Sequence, residues 1–137
     1  MAVTITEYDQ FKNMALNGLD WDTSVLKIAL FTGSHVPDLA NTALAELLNE
    51  CVGTGYVAGG EEVPNRSIAS GIVSCDQATW AALTVNVRHV VLYVEGVLGG
   101  ITNPVLLDYD LGSELALVDV PWSFGWVNSQ LYQLTAA

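Results

Sequence analysis

The sequence predicts a mostly β fold, a jelly roll or a related antiparallel β-sandwich, with one N-terminal helix and one short inserted helix. Three observations support this class. The chain has 137 residues, the usual size of one domain, so we expect a single domain over residues 1–137. From Ser67 onward the segments between turns have β character. Turn signals interrupt that half at intervals of about 8–12 residues, as in sandwiches and barrels.

Two helices and one strand are predicted in the first half. Apolar periodicity predicts a helix over Thr6–Asn17, opened by a capping box between Thr6 and Asp9. Alternation predicts a strand over Val25–Thr32. Recurring leucines predict a short helix over Thr42–Glu50. The predicted strand has one face carrying Leu26, Ile28 and Leu30, and an opposite face carrying Lys27 and Ala29.

The second half divides into strands at its turn residues. Glycines and an Asn-Pro pair mark the breaks, at Gly96, Gly99-Gly100, Asn103-Pro104 and Gly112-Ser113. The predicted strands are Ser67–Ser74, Val85–Glu95, Val105–Tyr109, Glu114–Val120 and Ser123–Leu134.

The charge balance argues against nucleic acid and membrane partners. The formal net charge is −11, from 15 acidic and 4 basic residues. Binding to duplex nucleic acid neutralises several phosphates at once, which four scattered cations do not provide. The same repulsion disfavours anionic membranes, and no apolar run reaches the roughly 20 residues of a membrane span. The start, MAVTITEYDQ, lacks the features of a signal peptide, so we expect synthesis in a cytoplasm. Cys51 and Cys75 are then expected to be reduced and buried.

The chain is unusually apolar for a monomer. Hydrophobic residues make up 51% and charged residues 14%, against about 25% charged in an average soluble domain. A contact with another chain is the simplest use for this surplus, so we expect a homodimer or another homo-oligomer.

The stretch CVGTGYVAGGEEV, residues 51–63, contains the spacing G-x-G-x-x-G/A of a dinucleotide-binding turn. Such a turn needs a strand before it and a helix after it. Here the preceding segment has a helical pattern, and two glutamates follow the loop. We therefore predict a structural loop, in which glycines allow unusual backbone angles around Tyr56 and Tyr56 anchors the loop.

Candidate catalytic and metal-binding residues are sparse. His35 and His89 lie far apart in sequence, so we expect satisfied or exposed histidines and no metal. Asp108 and Asp110 fall on one strand face and are interpreted as an exposed acidic strand edge, not as a calcium or glycosidase pair. No nucleophile elbow occurs. We expect no enzymatic activity and no cofactor.

The aromatic residues allow three interpretations. Trp80 is predicted to fill the core. Trp122, Phe124 and Trp126 share one side of a predicted strand. They could pack the core, anchor a protein interface, or form a platform for a sugar.

The order of several segments resembles a known family. FKNMALNGLDWDTSVLKIALFTGS leads into LAELLNECVGTGYVAGGEEV, and Trp80 precedes VNVRHVVLYVEG and VLLDYDLG. This is similar to small structural proteins of tailed bacteriophages, over nearly the whole chain. Its most specific parts are Glu50–Gly60 and Leu26–Thr32. Departures are a more helical Leu39–Glu50 and a C-terminal segment richer in tryptophan.

The resemblance implies a capsid cement or decoration protein of jelly-roll or related sandwich type. Such a protein lies on the virion exterior, binds the assembled shell of a major capsid protein and bridges its subunits; the family offers no catalytic residues. Alternatives are a tail or head–tail joining protein, and a carbohydrate-binding sandwich using Trp122 and Trp126. The predicted docking residues are Tyr8, Phe11 and Trp21 near the N-terminus and Trp122, Phe124 and Trp126 near the C-terminus.

Overall fold

The computed structural model describes residues 3–126 and the backbone of residues 130–133. It contains one α-helix and ten strands in this part of the chain. The helix α1 spans Gln10–Leu16. The strands are β1 Thr4–Glu7, β2 Leu26–Phe31, β3 Glu61–Glu62, β4 Ser67–Ala69, β5 Ile72–Ser74, β6 Ala78–Val94, β7 Val97–Leu98, β8 Ile101–Thr102, β9 Val105–Phe124 and β10 Gln130–Gln133. None of the described helices is long and apolar enough to cross a membrane.

The strands form antiparallel sheets. The main sheet has five strands in the order β1-β9-β6-β2-β3, a second has the order β10-β5-β4, and β7 pairs with β8 at the tip of the β6–β9 hairpin. This confirms the mostly β, antiparallel class with one N-terminal helix, and is consistent with a β-sandwich. The strand order does not establish a jelly roll.

The β6–β9 hairpin is longer and more continuous than the sequence predicts. Val105–Tyr109 and Glu114–Val120 were predicted as separate strands, but both belong to β9. The glycine at 112 does not end the strand, because β9 pairs with β6 both before and after it. Val87 pairs with Leu115 and His89 with Asp110, so residues 111–114 are accommodated opposite Arg88 as a bulge.

The N-terminal helix prediction was wrong over its first turn. Residues 4–7 form β1 and pair with β9 from Glu7↔Leu107 to Thr4↔Asp110. Their β-branched side chains favour a strand, and the exposed edge of β9 provides a partner. Thr6 is therefore not part of a capping box, and α1 starts after Asp9.

The short inserted helix is reduced to one 3₁₀ turn, Leu44–Glu46. The leucines that suggested a helix do not share a face, because Leu47 is buried whereas Leu48 is exposed. The Glu46 carboxylate accepts hydrogen bonds from the backbone N–H groups of Thr42 and Ala43, which holds the turn without further helical residues.

The main sheet is packed on both faces, as the alternation in β2 predicts. Leu26, Ile28 and Leu30 belong to the larger core cluster, which also holds the buried Trp80. Ala29 and Phe31 belong to a second cluster on the other face. The predictions for β2 and for Trp80 are confirmed.

Both cysteines are buried free thiols, as expected. Burial raises the pKa of Cys51 to about 12 and that of Cys75 to about 11. Neither thiol is a reactive nucleophile in this setting.

The glycine loop is a structural clamp on β2 and β6. The Tyr56 hydroxyl donates to Glu50 Oε2 over 2.6 Å and accepts from the Leu30 N–H over 2.9 Å. The same Glu50 oxygen accepts from the Gly59 N–H over 2.7 Å. Gly55, Gly59 and Gly60 have φ of +86°, +94° and +77°. These contacts and backbone angles confirm the predicted structural loop, which Tyr56 anchors.

Close approach explains the first glycine of this loop. A Cβ on Gly53 would lie 1.8 Å from the carbonyl oxygen of Thr84 in β6. The added Cβ would be fixed to the backbone of the loop, and the oxygen belongs to the backbone of β6. The clash could therefore be relieved only by moving one of these two backbone segments. Gly53 is therefore required by space alone.

We expect Gly53→Ala to lower the free energy of unfolding by about 3–4 kcal/mol. Gly96→Ala is the matched control. A Cβ there meets nothing within 4 Å, so only the strain of its φ of +113° remains, about 1–2 kcal/mol. Urea denaturation followed by tryptophan fluorescence measures both. Equal losses of unfolding free energy for Gly53→Ala and Gly96→Ala would contradict the close packing of the loop against β6 at Gly53.

Candidate functional site

An apolar groove of about 610 Å³ lies between α1, the loop that carries Trp21, and the β4–β5 hairpin. Its apolar lining comes from three separate segments that the fold brings together. The charged side chains of Glu7 and Lys12 also line it. The apolar residues are Phe11, Ala15, Leu16, Trp21, Ile68 and Val73.

The groove has a rigid floor and exposed walls. The Phe11 and Trp21 rings meet edge to face, with centroids 5.6 Å apart. Phe11 is buried and Trp21 half-buried, whereas 87% of Leu16 and 49% of Ile68 is exposed. Helix α1 is seven residues long, and it turns Phe11 inward while leaving Leu16 in solvent. Exposed aliphatic side chains around an aromatic floor suit an apolar anchor from a partner.

The structure separates Tyr8 from the other two predicted N-terminal docking residues. Tyr8 is fully buried and packs in the second core cluster, with Phe31 and Leu47. Its N–H donates to Leu106 O over 3.0 Å, which continues the β1–β9 pairing. Burial, followed by the nearby Asp108 charge, raises the pKa of its phenol. Phe11 and Trp21 meet in the groove; Tyr8 offers no surface there.

The predicted C-terminal aromatic residues pack against the core. Phe124 is buried, and its ring centroid lies 6.2 Å from that of Trp122 and 5.2 Å from that of Trp126. Trp122 also contacts the buried Trp80, with centroids 5.7 Å apart. Both Trp122 and Trp126 are half-buried. Of the three interpretations, the structure therefore favours core packing, and the rings do not form a flat exposed platform.

A buried carboxylate joins the two histidines, which the sequence did not predict. Asp108 is 0% exposed. Its Oδ1 lies 2.9 Å from His89 Nδ1, and its Oδ2 lies 3.2 Å from His35 Nε2. The prediction that Asp108 lies on an exposed acidic edge was wrong, because both histidines cover this part of β9. Asp110 is half-buried and binds Arg88 through the Nε, over 2.9 Å.

Hydrogen bonds at both ring nitrogens hold His35 in this cluster. His35 Nδ1 faces the carbonyl oxygen of Leu48 over 3.2 Å, so it must donate. His35 Nε2 lies against Asp108 Oδ2, so the His35 ring bridges the Leu48 carbonyl and the buried carboxylate. Burial by itself raises the pKa of Asp108, but the hydrogen bonds from His35 and His89 outweigh burial and hold that pKa below its usual range.

The cluster ties three segments together and does not resemble a catalytic site. His35 belongs to the segment between β2 and the 3₁₀ turn, His89 to β6 and Asp108 to β9. Both ring nitrogens of His35 are already engaged. Among the described residues, no group of three or more His, Cys, Asp or Glu side chains is arranged to hold a metal ion. We interpret the cluster as a buried polar anchor.

The sequence did not predict this cluster, nor the place of Leu16 and Ile68 in the groove. His35 and Asp108 are 73 positions apart in the sequence, which hides their proximity, since only the β2–β6–β9 pairing brings them together. Ile68 was predicted as an ordinary strand residue, and its place opposite Leu16 depends on how the β4–β5 hairpin packs. Comparisons with protein families, curated proteins and solved structures give no match. The likeness to phage structural proteins stays a prediction.

We expect Asp108→Asn to cost about 2–4 kcal/mol of unfolding free energy at pH 7, because it removes a buried carboxylate that is hydrogen-bonded to two histidine rings. Asp110→Asn, at a partly exposed pair, should cost below about 1 kcal/mol. The folded-state pKa of Asp108 is lowered, so its contribution is present above the unfolded value of about 3.9 and is lost as pH falls through the folded value. The free energy of unfolding, measured by denaturation at a series of pH values, should therefore fall less steeply between pH 7 and pH 2 in Asp108→Asn than in the unsubstituted chain. A loss as steep as in the unsubstituted chain would contradict this assignment.

Proposed function

We propose that this protein is an auxiliary structural protein of a tailed-phage virion, a capsid cement or decoration protein. It binds the outer surface of the assembled major-capsid-protein shell and bridges subunits, as a homodimer or another homo-oligomer. The observation that carries this proposal is the exposed apolar groove, which includes two of the docking residues that the sequence suggested, Phe11 and Trp21.

A binder of this kind acts by mass action. It has affinity for the assembled lattice and little for free subunits, so it shifts the equilibrium toward the intact shell. Two binding sites on one rigid body add roughly 10²–10⁴ in avidity when both engage. The main sheet supplies that rigidity, since its centre, at β2 and the adjoining halves of β6 and β9, is packed on both faces.

The groove suits an apolar anchor from the capsid protein. Leu16 and Ile68 would be covered by the partner, and the partner side chain would rest on Phe11 and Trp21. A stable contact buries roughly 1,200–2,000 Å² in total, so the surface around the groove also takes part. The net charge of −11 keeps the remaining surface soluble and repels polyanions.

A tail or head–tail joining protein is the second candidate, because the same groove could bind those assemblies. The number of copies per particle separates the two locations. The carbohydrate-binding alternative is not carried further, since Trp122, Phe124 and Trp126 pack against the core.

We expect Leu16→Asp and Ile68→Asp to weaken binding to empty capsids by at least about tenfold each, because each puts a charge in the apolar contact. Val57→Asp is the matched control, since Val57 is also exposed but lies outside the groove. Co-sedimentation of the purified chain with empty capsids measures the affinity. Unchanged binding for both groove variants would remove the groove from the proposal.

Quantified protein bands from purified virions test the location. A cement protein should be present in hundreds of copies per particle, because it follows the capsid lattice. About a dozen copies or fewer would favour the joining protein, and absence from the virion would overturn both.

A further inference from the structure

We propose that the chain dimerises by antiparallel pairing of β1 with β1 of a second copy, centred on Ile5. The use of such a dimer on a capsid rests on the proposed function. The pairing itself does not, because it is a property of the isolated chain.

The free edge of β1 presents backbone groups from alternate residues. Tyr8 N–H donates to Leu106 O, and the register continues through Thr6↔Asp108 and Thr4↔Asp110. In an antiparallel ladder, hydrogen-bonded and non-hydrogen-bonded pairs alternate. The backbone groups of Val3, Ile5 and Glu7 therefore point away from β9. In the described part of the chain, β1 ends the order of the main sheet.

The other free edges of the main sheet are blocked. The edge strand β3 has two residues, Glu61 and Glu62, both charged and exposed. Beyond its contact with β1, β9 contains Asp119 with φ of +47° and Pro121, which lacks an N–H. Short length, charge, irregular backbone and proline are the features that prevent strand addition at an edge.

The β1 edge has no proline and no positive φ among residues 3–7, and Glu7 is its one charged residue. Its sequence around the centre, Val-Thr-Ile-Thr, is β-branched throughout and uncharged. Side-chain exposure is 44% for Val3 and 60% for Ile5. An open, strand-forming edge on a sheet whose other edges are blocked is a surface for pairing.

The edge is complementary to itself under a two-fold axis. When Ile5 faces Ile5 of the second copy, Val3 faces Glu7 and Thr4 faces Thr6. The backbone N–H and C=O groups of residues 3, 5 and 7 in one copy then face those of residues 7, 5 and 3 in the other. This allows about six hydrogen bonds between the copies. No like charges face each other across the axis, although the chain carries −11. A second copy is thus favoured over an unrelated strand.

The pairing places two grooves on one rigid body. Each five-stranded sheet joins its copy through β1, so one continuous sheet crosses the dimer. Glu7 both lines the groove and takes part in the pairing edge. The two grooves therefore lie on either side of the axis, in a fixed geometry that suits a bivalent binder.

The register gives a charge test. Val3→Glu places a carboxylate opposite the partner's Glu7 and should weaken dimerisation at least about fivefold. Glu7→Lys in the same chain should restore it, because each new pair is then of opposite charge. Val57→Glu is the control with the same change of net charge, and it should have little effect. Sedimentation equilibrium of the full chain over a concentration series measures the dissociation constant.

A disulfide provides the second measurement. Paired residues at the axis have Cα atoms about 5.5 Å apart, within the range that a disulfide spans. Ile5→Cys should give a cross-linked dimer on mild oxidation, whereas Val57→Cys should give much less. Cys51 and Cys75 are buried and should contribute little.

Two results would overturn the inference. One is a chain that stays monomeric up to about 1 mM, and the other is a dimer that responds equally to Val3→Glu and Val57→Glu. A monomeric chain that still binds capsids through Leu16 and Ile68 would remove the β1 dimer and leave the proposed function in place.

Discussion

The structure depends on one long antiparallel pairing, that of β6 with β9. These strands have 17 and 20 residues and form the centre of the main sheet, with β1 and β2 paired directly to them and β3 joined through β2. β1 pairs with β9, β2 pairs with β6, and the glycine loop is pressed against the backbone of β6 at Thr84. The hairpin also brings His89 and Asp108 together. A hairpin of this length needs contacts on both faces, because a two-stranded ribbon alone is marginal in water.

The two specific features around that hairpin are polar contacts placed inside the protein. Glu50 holds Tyr56 and the loop, and Asp108 holds His35 and His89. Each carboxylate has several donors, which is the condition for burying charge without a large penalty. Apolar packing gives the sheet its stability, whereas these contacts fix where the long connection between β2 and β3, residues 32–60, lies against it. The groove near α1 then depends on a frame that does not shift.

The sequence predicted features that follow from local rules. The alternation of β2, the turns near Gly96 and Gly99, and the bend of the Glu50–Gly60 loop are set by side-chain period and backbone freedom. Predictions that needed a distant partner failed. Residues 4–7 form a strand because they pair with β9. Asp108 is buried because His35, from a distant segment, covers it. In the candidate site, Phe11 and Trp21 were predicted as docking residues from their residue types. Leu16 and Ile68 were not, because their place in the groove depends on how α1 and the β4–β5 hairpin pack. Positions 127–129 and 134, in the last predicted strand, lie outside the described residues.

The acidity of the chain and its self-pairing are compatible because they act over different distances. At physiological ionic strength, charges further apart than about 8 Å are largely screened. Strand pairing acts within about 5 Å, along an edge where Thr4, Ile5 and Thr6 carry no charge. Repulsion between the acidic groups of two approaching copies is thus weak, and the Thr4–Thr6 centre of the edge adds none. Pairing through β1 is therefore compatible with a net charge of −11.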